Sequence, residues 1–135
     1  MATNTAGTVA RDYGMQLLHY LRKTIDYTMD GTTVDIGYIP AGALVLKPAS
    51  GVHVTTAFNG GSTNTLDVGP STDSGTNLWA TVLALGTATF VPLDEAVGGF
   101  TVSVDTLVQC KVVSTASASA GEGEVVIFYV PDNDG

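Results

Sequence analysis

The sequence predicts an all-β fold, an antiparallel β-sandwich of about eight strands. Three observations carry this. Short apolar runs with alternating polarity recur along the chain, Gly, Pro, Asn and Asp clusters separate them, and neither a long amphipathic helix nor βαβ alternation interrupts them. A jelly roll fits the strand count, and an immunoglobulin-like sandwich or a closed barrel shares the pattern. At 135 residues the chain can bury one core but not two. We therefore expect a single domain over residues 15–135, preceded by an arm of residues 1–14.

That arm, rich in Thr, Ala, Asn and Gly, has no period and little to bury. It is expected to order only on contact with a partner, with Arg11, Tyr13 and Met15 as its anchors. Residues 15–27 allow two readings. Leu17, Leu18 and Leu21 could form a short helix face, or Tyr20, Arg22, Thr24 and Asp26 could alternate with Leu21, Lys23, Ile25 and Tyr27 in a strand. The strand is favoured over residues 21–28, and Asp30-Gly31 supplies a turn after it.

From Thr33 the pattern is β throughout. Val34, Ile36 and Tyr38 alternate with Asp35 and Gly37 before the Pro40-Ala41-Gly42 turn. Residues 43–47 form a short apolar run that stops at Pro48. Val52, Val54, Thr56 and Phe58 then share one strand face, with His53, Thr55 and Ala57 on the other. A strand over 65–68 leads into a Ser/Thr/Asp/Gly surface loop that runs to Asn77. Residues 78–85 read as a helical turn or an irregular strand anchored by Trp79, and 87–91 as a strand. Val102 and Val104 alternate with Thr101 and Ser103, and further strands follow over 107–113 and 124–130.

The last of these is apolar on both faces: Val125, Ile127 and Tyr129 on one, Val126, Phe128 and Val130 on the other. Such a strand is either covered on both sides within the fold or has its outer face against another subunit. Because only one face of each sheet in a sandwich meets the core, the second reading stands level with the first. On it, Val126, Phe128 and Val130 are interface residues. Composition points the same way. Charged residues make up 13 % of the chain, about half the roughly 25 % of an ordinary globular protein, which leaves too little polar surface for a free monomer.

The formal net charge is −8, and from Pro48 onward Lys111 is the lone cation. A chain so poor in cations cannot neutralise a row of phosphates, which argues against nucleic acid and anionic membranes as partners. The first residues lack the apolar run of a secretory signal, and no stretch approaches a membrane span, so synthesis in a cytoplasm is expected.

Catalytic and cofactor signatures do not emerge from the sequence. The single cysteine, Cys110, sits among apolar residues and reads as a small buried hydrophobe. His19 and His53 lie in different segments, outside any zinc-ligand spacing. Neither a nucleophile elbow nor a phosphate-binding glycine loop is present. Asp94-Glu95 is a loop pair whose side chains point opposite ways, and Asp132-Asn133-Asp134-Gly135 opens like a calcium loop but lacks its later ligands. Asp67 and Asp73 could hold calcium only if other oxygens converged on them. No catalytic residue, metal site or cofactor is therefore assigned. A β-sandwich can also serve as a carbohydrate-binding module, a reading in which Trp79 would be the sugar platform.

The block Ile39-Pro-Ala-Gly-Ala-Leu-Val-Leu46, followed by Val54-Thr-Thr-Ala-Phe-Asn-Gly-Gly61 and Thr65-Leu-Asp-Val-Gly69, resembles small virion proteins of tailed bacteriophages. More narrowly, residues 34–130 are similar to jelly-roll cement, or decoration, proteins. The resemblance implies a non-enzymatic homotrimer on the outer capsid surface, bound to the major capsid protein where capsid subunits meet and stabilising the shell against internal DNA pressure. Tail- or fibre-associated virion proteins share this kind of sequence.

Overall fold

Alternating apolar residues and frequent turn formers produce, among the described residues, nine strands in two sheets. The computed structural model describes residues 18–73, 76–94, 101–115 and 118–131. The strands are β1 His19–Asp26, β2 Thr33–Ile39, β3 Leu44–Val45, β4 Gly51–Thr56, β5 Asn64–Pro70, β6 Ala80–Ala84, β7 Phe90–Pro92, β8 Thr106–Ser114 and β9 Glu122–Val130. One sheet runs β1-β9-β4-β7 and the other β2-β8-β5-β6. Strand β3 pairs the end of β9, along the same edge that β4 occupies further down, so β3 and β4 act as one strand interrupted at Pro48. Four antiparallel pairs, β1–β9, β2–β8, β4–β7 and β5–β6, are nested within one another and alternate between sheets. That nesting is the jelly roll.

The core lies between the sheets. Ile25, Val52, Val54, Val125 and Ile127 from the first sheet meet Ile39, Leu66, Val68, Leu83, Val108 and Val112 from the second, all buried. Trp79, Leu85 and Leu93 close it from the connections.

Local chemistry displaces several expected boundaries. The first strand starts at His19 and stops at Asp26, because Asp26 caps the short 3-10 turn Tyr27–Met29, accepting from Thr28 N at 2.8 Å and from the Thr28 hydroxyl. In β2 the pairing with β8 slips between Asp35 and Gly37. This bulge reverses the alternation, so Tyr38 is 65 % exposed and Ile39 is buried. The expected strand around Val102 and Val104 does not form. Thr101 makes one isolated bridge to Leu44, Val102 turns inward and Val104 outward. The strand read over 87–91 is confined to Phe90–Pro92, and the one over 65–68 extends to Asn64–Pro70.

Candidate interaction surface

The outer face of β1 and β9 follows from strand register. Ser50 Oγ accepts from Phe128 N at 2.9 Å, and Phe128 O accepts from Leu46 N at 2.9 Å, so even-numbered residues of β9 address β3 and β4 and odd-numbered ones address β1. Their side chains alternate likewise. Val125 and Ile127 enter the core with Tyr129, while Val126, Phe128 and Val130 lie half-buried on the opposite face. Tyr20 pairs with Phe128 and Arg22 with Val126 across the strands. The Tyr20 and Phe128 rings are 6.1 Å apart and tilted, and the Arg22 guanidinium donates two bonds to Glu124, at 2.9 and 2.8 Å. Together Tyr20, Arg22, Glu124, Val126 and Phe128 line a shallow hollow of about 270 Å³. Glu124 raises the Arg22 pKa further, so the cation is permanent.

One end of the sandwich is also apolar. There β1 starts, β9 ends, and residues 40–43, 71–73, 76–79 and 101–105 gather. Leu18, Leu44, Leu78 and Val104 are exposed around this end, near Tyr20 and Tyr38. A cleft of about 310 Å³ opens between Leu78, Trp79 and the segment from Thr101 to Leu107, with Asp105 on its rim. The opposite end, where 57–63, 85–89 and 118–121 meet, is built from Asn, Ser, Thr and Gly, held by Asn59 Oδ1 accepting from Ser119 N and Ala120 N. Of the large exposed apolar side chains among the described residues, Phe90 borders that end, following directly on the 85–89 connection.

The chemistry-bearing residues serve the fold. Asp67 accepts from Val82 N at 2.8 Å, Asp73 from Asn77 N at 2.7 Å and Asp94 from Thr81 N at 3.1 Å, so each of these carboxylates holds backbone. No group of three or more His, Cys, Asp or Glu side chains placed to hold a metal occurs among the described residues. Cys110 is fully buried, and desolvation pushes its thiol up to about 12, against a small lowering by Lys23. Trp79 is only 5 % exposed, so it anchors the core and cannot present a flat face to a sugar.

Of the residues read from sequence as an interface, Val126, Phe128 and Val130 share one outer face. Arg11, Tyr13 and Met15, like Glu95 and the acidic residues 132–135, lie outside the described residues. Sequence reasoning did not join Tyr20 and Arg22 to this surface, although their alternation was visible. The missing fact was the pairing of β1 with β9, a contact between residues about a hundred positions apart.

Comparisons with known proteins come from structure alone: no protein-family model matches the chain, and no curated protein does. The fold is similar to a chain of the cyanophage Pam1 capsid asymmetric unit, with a TM-score of 0.64 and 20 % identity over 96 % of this chain and 98 % of that one. It is also similar to a chain of the acidic stable capsid structure of Helicobacter pylori bacteriophage KHP30, with a TM-score of 0.61 and 13 % identity over 84 % of this chain and 87 % of that one. At these identities the likeness is one of fold.

Proposed function

We propose that this chain is a structural protein of a phage virion, a decoration protein that self-associates, as a homotrimer, and attaches to the outer surface of the capsid. The observation that carries this reading is the outward apolar face formed by exposed Tyr20 and half-buried Val126, Phe128 and Val130 on one side of a jelly roll. Support comes from the two capsid structures. Coverage is high in both directions, so the similar chains are of about this length and occur within capsids. The work such a protein does is mechanical: by bridging neighbouring shell subunits it adds contact area that must be broken before the shell opens.

In this reading the apolar face joins copies to one another and residues 1–14 reach the shell protein. The test is quantitative mass spectrometry of purified virions. Stoichiometric recovery with intact heads, at a copy number matching the shell's symmetry axes, is expected. Absence from particles, or recovery only with detached tails, would overturn the assignment to the head.

A further inference from the structure

Val82 adopts a backbone conformation that a β-branched residue pays to hold. Its φ is +57°, in the left-handed region, within edge strand β6. Carboxylates from two other elements fix it there: Asp67 of β5 accepts from Val82 N, and Asp94, beyond β7, accepts from the neighbouring Thr81 N. The kink turns Leu83 into the core and leaves the Val82 isopropyl group 64 % exposed. Glycine would make the same kink without the strain. What valine adds is an apolar knob held rigidly proud of the surface, and strain kept at an exposed position points to use.

The knob lies on the flank of the sandwich formed by β6 and β7. The hollow lined by Tyr20, Arg22, Glu124, Val126 and Phe128 lies on the outer sheet face of β1 and β9, toward the opposite side of the sandwich. Charge is complementary at the two sites. The Arg22 guanidinium, more than half exposed, borders the hollow, and the Asp67 carboxylate is joined to the knob's own backbone at Val82 N. We propose that Val82 of one copy seats in the Tyr20–Phe128 hollow of the next, with Arg22 facing Asp67 across the contact. Such a contact is heterologous, head to tail, and the proposed trimer requires that the rotation it imposes between successive copies close after three. The inference rests on the self-association proposed above and specifies its geometry.

Two variants of the full chain separate this contact from any symmetrical one. Val82→Gly removes the knob and keeps the hollow, whereas Phe128→Asp ruins the hollow and keeps the knob. Each alone should run as a monomer in light scattering at concentrations where the native chain is assembled, with unchanged circular dichroism. Titrating fluorescently labelled Phe128→Asp with Val82→Gly should then reveal heterotypic binding at least about tenfold tighter than either variant shows for itself, because the pair retains one intact contact. If Phe128→Asp misfolds, Tyr20→Ser takes its place. Native-like assembly of Val82→Gly, no heterotypic preference, or a monomeric native chain would each overturn the proposal. Recovery of the native chain with virions is read separately, so attachment to particles can stand where this geometry fails.

Discussion

At Cys110 the sandwich buries a thiol between the sheets, and burial, more than any neighbour, sets its acidity. The sign of the consequence follows from linkage. The folded-state pKa is raised from 9.0 to about 12, so the stability this group contributes is fully present below pH 9 and is lost as pH rises from 9 through 12. Denaturant unfolding should therefore fall off more steeply above pH 9 in the native chain than in Cys110→Ala, whose lower baseline stability does not affect the comparison of slopes. Equal slopes would mean that the thiol reaches water in the folded state. Val82 supplies the second test at this scale. In the Phe128→Asp background, where assembly does not contribute, Val82→Gly should raise unfolding stability by about 0.5–1 kcal/mol, the relieved left-handed strain less the extra entropy glycine loses. A loss of stability would show that the isopropyl group packs within its own subunit.

The elements explain why association through faces suits this fold better than association through edges. All four edge strands are blunted: β7 has three residues, β6 is kinked at Val82, β2 is bulged before Gly37, and β1 turns Lys23 toward the sandwich interior. Such devices prevent strand-to-strand extension between molecules. The face of β9 has no comparable guard beyond one ion pair, so Val126→Asp and Phe128→Asp should abolish oligomers in gel filtration while leaving the melting transition cooperative. Unfolding of both variants would place those side chains in the core. The two-sided character of this strand was legible in the sequence because six apolar residues in succession leave no polar face. The Tyr38 assignment was not, because one inserted residue at a bulge reverses every side chain after it and leaves no mark in the alternation. Val102 and Val104 failed for a related reason: two alternating valines satisfy a strand pattern, yet a strand also needs a partner along its length, and here the pairing is limited to one bridge from Thr101 to Leu44.

Across the whole molecule the jelly roll gives its two ends different characters. The chain enters and leaves at the apolar end, so residues 1–17 join the described fold beside Leu18 and the terminus of β9. The strand count and sandwich class could be read from turn spacing, but this polarity could not, since it arises only when connections distant in sequence are gathered by the nested pairing. It also decides what a truncation should do. Every buried residue of the described core lies at Ile25 or later, so deleting residues 2–12 removes none of the packing that sustains the fold. The melting temperature of the truncated chain should stay within about 2 °C of the native value, since a change of 1 kcal/mol would shift a domain of this size by about 4 °C. Attachment should behave differently. Holding a segment in place costs roughly 1–2 kcal/mol of backbone entropy per residue, which the small side chains of residues 1–10 cannot repay alone, so an arm that works must gain its contacts from a partner. If Arg11, Tyr13 and Met15 anchor it on the shell, the truncated protein, which lacks the first of these and the segment before it, should bind undecorated particles more weakly in a sedimentation assay. Undiminished binding would show that the arm is dispensable and that the apolar end of the sandwich makes the contact by itself.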